Sequence, residues 1–288
     1  MNADSAFQIG ASHAVCQDYS LAWSYSQTLP RAKPGWQTSP YVILADGCSS
    51  SPDTDIGARL LVKAAEQTLL ELGRQSPFEL SELHKEAARR ALAWAQTLGL
   101  PAHAVDATLL TAHLDGDELV VGCTGDGVIC FQSVTGAIDV YSISYTSGYP
   151  LYPSYAHQPE RLLALEDAGR TGRDVKHFRC ASIEEPLRLR DTSTGGAPTE
   201  VFTVRALDYK YVTLFSDGVH SFCSAKQTET SKRVEAVPLD EVLRGLVSFK
   251  STRGAFVGRR LKSFLKDCQT RGWKHMDDLA VGALYLGD

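Results

Sequence analysis

The 288-residue chain predicts an α+β fold built on antiparallel sheet, and three observations carry that expectation. Strand-like runs come in clusters rather than in alternation with helices. Two pairs of helix-patterned segments separate those clusters. An Asp115-Gly116 turn joins two apolar runs, which is a hairpin signature. Strict βαβ alternation, which would favour a doubly wound parallel sheet, is absent. The chain is 43% hydrophobic and 22% charged, enough for a large core. With no internal repeat and no low-complexity tract, residues 1–288 are expected to form one domain.

Phe7 to Ala14 and Tyr19 to Tyr25 read as short strands. Gln27 to Ser39 contains Pro30, Pro34 and Gly35 and reads as a loop. Tyr41 to Ala45 is uniformly apolar and predicts a buried strand. Helical spacing follows over Asp53 to Leu72, with Ile56, Leu60, Leu61, Ala64, Ala65 and Leu69 on one side. A second helix over Pro77 to Leu98 carries Leu80, Leu83, Ala87, Ala91 and Trp94, and Gly99 and Pro101 stop it. Thr108 to Leu114, Glu118 to Cys123 and Val128 to Val134 predict successive strands, with Gly125-Asp126-Gly127 as a second turn in the same meander. Ala137 to Ile143 extends it.

From Tyr145 to Pro198 glycine and proline recur with little periodicity, so an irregular inserted segment is expected at about 145–198. The tyrosines 141, 145, 149, 152 and 155 open it, either as a substrate-facing flap or as anchors to the sheet. Glu200 to Ala206 and Tyr211 to Ser216 predict strands, Leu239 to Phe249 and Gly254 to Cys268 helices, and Leu279 to Leu286 a final strand.

A net charge of −5 argues against nucleic acid as a partner. The basic stretch Arg253 to Lys266 lies on a predicted helix and reads as a solvated face. The seven cysteines are scattered without a Cys-x-x-Cys pair, which speaks against a disulfide framework or a zinc site. Met1 to Gly10 has neither a basic start nor a long apolar run, so no signal peptide is expected. No stretch reaches membrane-spanning length. A soluble cytoplasmic protein with no membrane partner is expected.

Chemistry is concentrated in four short segments. They are Tyr41-Val-Ile-Leu-Ala-Asp46-Gly47, Leu119-Val-Val-Gly-Cys-Thr-Gly125-Asp126-Gly127, Tyr211-Val-Thr-Leu-Phe-Ser216-Asp217-Gly218 and Met276-Asp277-Asp278-Leu-Ala-Val281. Each places an aspartate beside an apolar, strand-like run. Carboxylates gathered at strand ends repel one another unless a cation neutralises them. The pattern reads as a hard-metal site with oxygen ligands. Taken singly, each aspartate is also a normal turn residue.

In that order, these motifs resemble those of the metal-dependent type 2C serine/threonine protein phosphatases, in wording closest to the divergent bacterial branch. Gly10-Ala-Ser-His13-Ala-Val-Cys-Gln17-Asp18 is similar to the family's first motif, a glycine, a basic residue and Asn-Glu-Asp or Asn-Gln-Asp. Asp46-Gly47-Cys48-Ser49 stands where the family has Asp-Gly-His-Gly, and Gly125-Asp126-Gly127 where it has Gly-Asp-Ser. Ser216-Asp217-Gly218 matches its Ser-Asp-Gly, and Asp277-Asp278 resembles its terminal Asp-Asn.

The resemblance implies a central β-sandwich of two antiparallel sheets with helix pairs outside, a four-layer α-β-β-α arrangement. It implies a centre of two Mn²⁺ or Mg²⁺ ions, with a weak third. Asp46 would bridge both ions, aided by the Gly47 carbonyl, and Asp217 and Asp277 would hold the first. Asp18 would lie near the second and Asp126 near the third. Three departures stand out: the family's phosphate-binding arginine falls on His13, its second-metal glutamate on Gln17, and its His-Gly on Cys48-Ser49.

Two divalent ions can bridge a water, lower its pKa and shield a phosphomonoester. Direct attack by that hydroxide needs no serine or cysteine nucleophile. His13 is a candidate for binding the phosphate or protonating the leaving oxygen; the other reading is a half-buried histidine bonded to backbone. Asp278 and Gln17 are expected to support the ligands, and Asp106 to orient metal-held waters. Cys48 borders the site or packs as a small hydrophobe. Phosphoserine and phosphothreonine proteins, products of a serine/threonine kinase, are the expected substrates. The alternative is a weak or inactive relative that binds phosphoproteins or a kinase.

Overall fold

The computed structural model describes residues 1–24, 39–72, 79–195, 198–227 and 232–287. The loop expected over Gln27 to Ser39 falls almost wholly outside them. Among the described residues there are three sheets, and every strand pairing is antiparallel.

The five-stranded sheet holds β2 (Asp18–Trp23), β3 (Tyr41–Asp46), β4 (Leu109–Asp115), β5 (Glu118–Thr124) and β10 (Thr199–Arg205), in the order β10-β5-β4-β3-β2. The seven-stranded sheet holds β1 (Asn2–Gln8), β6 (Gly127–Ser133), β7 (Ile138–Tyr145), β8 (Arg173–Cys180), β9 (Arg188–Gly195), β11 (Tyr209–Phe215) and β15 (Leu279–Tyr285). Its order is β1-β15-β11-β6-β7-β8-β9. A small sheet adds β12 (Phe222–Gln227), β13 (Lys232–Ala236) and β14 (Trp273–His275).

Among the described residues five helices flank the sheets: α1 (Thr54–Leu72), α2 (Leu80–Thr97), α3 (Pro159–Asp167), α4 (Leu239–Val247) and α5 (Phe256–Thr270). Period-two alternation sorts the strand residues between layers. On β3, Tyr41, Ile43 and Ala45 pack against Leu61, Ala65, Leu83 and Ala87 of α1 and α2. Val42 and Leu44, between them in sequence, turn the other way and meet Ile129, Val212, Leu214 and Leu284 of the second sheet. On β6, Val128 and Cys130 face Leu246, Phe256 and Phe264 of α4 and α5. Three core layers therefore lie between four layers of structure, which is the expected α-β-β-α order.

The structure corrects three expectations. β1 ends at Gln8, not Ala14, because residues after it are drawn into a loop bonded to 275–278. Gly125-Asp126-Gly127 is not a hairpin turn, since β5 and β6 belong to different sheets. The turn carries the chain across the sandwich, and Gly125 and Gly127 take φ of +93° and +148° to do so. The segment 145–198 is not irregular: it contains a 3₁₀ turn (Pro153–His157), α3, β8 and β9. Its strands are illegible in the sequence because β9 is exposed from Arg188 to Ser193 and β8, buried at Arg173, Val175 and Cys180, lacks apolar alternation. The short strands β12, β13 and β14 were likewise not anticipated.

Candidate active site

The sheets meet the chemistry at one end. Asp18 opens β2 and Asp46 closes β3, and the register sets them directly opposite one another. The Asp46 backbone is pinned on both sides: Thr108 N donates to Asp46 O at 2.8 Å, and Asp46 N donates to Thr108 Oγ1 at 3.2 Å. Gly47 is buried, bridges to Ala107, and donates its N–H to Gln17 O at 3.2 Å. These bonds hold a short aspartate side chain to a backbone that cannot drift.

The second sheet contributes Asp217, which starts a 3₁₀ turn just past β11, and Asp277, just before β15. Ser216 joins the two sheets. Its hydroxyl donates to Asp18 Oδ2 at 2.6 Å and accepts from Ala280 N at 2.9 Å. Gly218 permits a close approach of two loops: a Cβ there would lie 1.7 Å from Asp278 O.

Five carboxylates influence one another here. Burial raises the pKa of Asp46 well above the ordinary range, and the charges of Asp18, Asp217 and Asp126 push it the same way. Asp18 is pushed up by burial, which outweighs its bond from Ser216 and its contact with Asp46, and Asp217 and Asp278 add to the push. Burial and then Asp217 raise Asp126 to about 7. Asp277 is raised by burial and then by Asp217. Asp18, Asp46, Asp126, Asp217 and Asp277, scattered in sequence, thus converge.

Asp278 has a different role. It accepts from Gly10 N at 2.7 Å and Gln17 N at 2.6 Å, so it clamps the loop that carries His13. His13 sits between two carboxylates, with Nε2 3.3 Å from Asp277 Oδ1 and Nδ1 3.0 Å from Asp278 Oδ2. The second contact is close but poorly aligned for a ring N–H, so it is chiefly a charge contact. The pairing with Asp278, partly opposed by burial, raises the His13 pKa. Its polar partners are therefore the acidic cluster, whereas backbone bonding of the kind anticipated is found at His275, whose Nε2 meets Ile9 O at 2.9 Å.

Gln17 turns its amide away, donating Nε2 to Thr54 Oγ1 at 2.7 Å. Cys48 is half-buried beside Ser50 and Tyr152. Burial raises its thiol pKa, but hydrogen bonds from those neighbours outweigh this and lower it overall. Asp106 forms an ion pair with Arg161 at 2.7 Å. Sequence reasoning missed Arg161, Ser154 and Thr108. Nothing local marks them, because each acts on a partner 48 to 62 residues away.

A hard divalent cation fits this donor set. Every converging group is an oxygen donor, and burial and mutual repulsion oppose their common ionisation. Asp18 Oδ1 is buried with no hydrogen-bond donor among the described residues, and its neighbour is another carboxylate. Among the described residues no three His, Cys, Asp or Glu side chains already stand as a closed ligand cage. The carboxylates lie within one another's electrostatic reach.

A family model described as protein phosphatase 2C matches residues 9–266. No curated protein matches the chain in sequence at a significant level. Among solved structures, a bacterial serine phosphatase superposes with a TM-score of 0.56 at 14% identity, covering 100% of this chain and 98% of that one. The serine/threonine phosphatase Stp1 from Staphylococcus aureus gives 0.53 at 14% identity, with 100% and 96% covered. The serine/threonine phosphatase of S. agalactiae gives 0.52 at 16%, with 99% of each chain covered. At these identities the structural likeness establishes the fold alone.

Proposed function

The chain belongs to the protein phosphatase 2C family, and from that premise we propose that it hydrolyses phosphoserine and phosphothreonine in proteins, dependent on Mn²⁺ or Mg²⁺. The carrying observation is the placement of Asp18 opposite Asp46, bridged to the second sheet by Ser216, with a buried Asp18 oxygen that no described residue donates to. We read residues 1–288 as one phosphatase domain, acting in the cytoplasm on products of a serine/threonine kinase.

Asp46 and the Gly47 carbonyl, with Asp217 and Asp277, would hold the first ion; Asp46 and Asp18 would hold the second, and Asp126 a weaker third. When bound, the ions supply neutralisation of the phosphate charge and a water acidified enough to attack it. The protein's own part is positioning. Thr108 fixes Asp46, Ser216 orients Asp18, and Asp278 anchors the His13 loop. His13, with a side chain 19% exposed, is reachable at the rim. There it can face the phosphate or give a proton to the departing serine or threonine oxygen. No side-chain nucleophile is required, so no phosphoenzyme should form.

One observation favours a second reading, a weak or inactive relative that binds phosphoproteins or a kinase. The Gln17 amide is engaged by Thr54 rather than turned to the carboxylates. One experiment separates the two: turnover of p-nitrophenyl phosphate and of a phosphothreonine peptide, after chelation and after adding back Mn²⁺ or Mg²⁺. The phosphatase reading expects activity that vanishes and returns. Folded protein with no metal-dependent turnover supports the binding module instead.

A further inference from the structure

The basic helix α5 and the edge strand β1 enclose a cleft that the proposed reaction does not use. β1 ends the seven-stranded sheet and pairs there with β15. Its Asp4 carboxylate seats α5 on the strand, accepting from Val257 N at 2.6 Å and Gly258 N at 3.2 Å. Val257, Leu261, Phe264 and Cys268 recur at helical spacing and form the buried side of α5. The neighbouring stripe runs through Gly258, Lys262, Leu265 and Lys266. It faces Ala6 and Phe7 of β1 across a cleft of about 560 Å³, within the size range of ligand-binding clefts.

Gly258 keeps this cleft open. Glycine is the poorest helix former after proline, so its place inside α5 needs a reason. Packing does not supply one. Outside its own helix, a Cβ on Gly258 would meet only Ala6 Cβ, at 3.8 Å, which is ordinary contact. Gly218 is the opposite case, since Asp278 O already stands where its Cβ would go. The missing side chain at 258 leaves an apolar floor of Ala6, Phe7 and Leu265 uncovered.

The rims of the cleft are cationic. Lys262 and Lys266 are exposed, and among the described residues neither has a carboxylate at ion-pair distance. Residues 250–274 hold eight lysines and arginines against one acidic residue, Asp267, which lies 3.7 Å from Arg260. On the other side of the floor, the exposed Arg59 of α1 lies over the Phe7 ring at 5.6 Å and the Tyr19 ring at 4.8 Å. The whole chain carries −5, so this positive charge is a local concentration. An apolar floor between cationic rims complements a segment that interleaves aliphatic and acidic side chains. The aliphatic groups leave water in the cleft, and the carboxylates meet ammonium and guanidinium groups at its edges. A polynucleotide would use the cations and leave the floor bare.

We propose that the cleft between α5 and β1 docks an acidic segment of a partner protein, one whose carboxylates are interleaved with aliphatic side chains. The cleft is built from residues outside the aspartate cluster, so it serves this purpose whether or not the chain is a phosphatase.

Fluorescence anisotropy on the full chain, with a labelled peptide of alternating glutamate and leucine, tests the site. Two analogues accompany the peptide, one with lysine for glutamate and one with serine for leucine. Wild type should bind the first peptide, less tightly as salt rises, and each analogue about tenfold more weakly. The double variant Lys262→Glu/Lys266→Glu should weaken binding of the first peptide about tenfold. Gly258→Leu fills the cleft without changing charge and should weaken it as much, while its melting temperature stays at or above that of wild type. The charge-reversed variant alters only exposed side chains, so it and the serine analogue carry the test if Gly258→Leu fails to fold. No binding of the first peptide, equal binding of the serine analogue, or binding that a folded Gly258→Leu leaves unchanged overturns the docking site. A single-stranded oligonucleotide that binds wild type and Gly258→Leu alike and displaces the peptide would make the face a polyanion surface instead. A wild-type dimer that Gly258→Leu converts to monomer, seen by sedimentation, would give the cleft to a second copy of the chain, and that too overturns the proposal.

Discussion

The hydroxyl of Ser216 donates to Asp18 Oδ2 at 2.6 Å, tying the end of one sheet to the first residue of a strand in the other. The same oxygen accepts from Ala280 N, so Ser216 fixes the separation of the two sheets where the acidic residues gather. Ser216→Ala would strip a buried carboxylate of its donor and an amide of its acceptor. Stability should fall by about 1–3 kcal/mol. Urea unfolding with chelator present checks this, and a change below the error of the fit counts against the bridge.

Asp46 stands among like charges, so its removal should act in opposite directions on stability and function. Asp46→Asn, in the absence of divalent ions, should raise stability by on the order of 1 kcal/mol, because the cross-strand repulsion with Asp18 goes. The stabilisation by added Mn²⁺ should meanwhile shrink or vanish. Paired melting curves with chelator and with Mn²⁺ read both effects. An apo variant less stable than apo wild type contradicts the electrostatic account.

The pH dependence follows from the raised carboxyls. Asp126 has a folded pKa of about 7 and an ordinary unfolded value of 3.8. Its protonated form favours folding, so that contribution is complete below about 4 and is lost as pH rises through about 7. A divalent ion binds the ionised form and should reverse the trend. The Mn²⁺-induced rise in melting temperature should therefore grow from pH 5 to about pH 7.5. Burial lowers His84 and His113 to about 3 and about 4, which destabilises the fold in acid, but that term is common to both samples and cancels. A metal increment flat across this range would refute the assignment of these carboxyls.

At Gly218 a methyl group has no room, since it would meet Asp278 O at 1.7 Å. Gly218→Ala must separate the loop carrying Asp217 from the one carrying Asp277. A loss of about 3 kcal/mol or more is expected, with loss of Mn²⁺ binding. Thermal unfolding and calorimetric titration report the two separately, and near-normal values for both would show the loops to be looser than they look.

His13→Ala tests the position where the family's phosphate arginine is replaced. Loss of a proton donor should lower kcat by about a hundredfold, while loss of a phosphate contact should raise KM with kcat preserved. Steady-state kinetics on a phosphopeptide distinguish them. Kinetics like those of wild type would make His13 a strut between Asp277 and Asp278 and nothing more.

The residue pattern sufficed for the layers near the core and for the order of the acidic motifs. Tyr41 to Ala45 could be read as a strand because every side chain there is buried, and α1 and α2 because their apolar spacing matches the helical repeat. β8 and β9 could not be read, because strands without apolar alternation owe their conformation to their partners. The Gly125-Asp126-Gly127 turn looked like any hairpin, since local composition does not say which sheet the next strand joins.

By itself, then, the sequence determined which residues are acidic, where they sit relative to strand ends, and which faces are apolar, because those depend on neighbours one to four positions away. Only the tertiary structure decided that Asp18 faces Asp46, that Ser216 spans the sheets, and that Asp106 pairs with Arg161. Each of these is a contact across tens or hundreds of residues. Strand register and helix docking create such contacts, and no local periodicity encodes them.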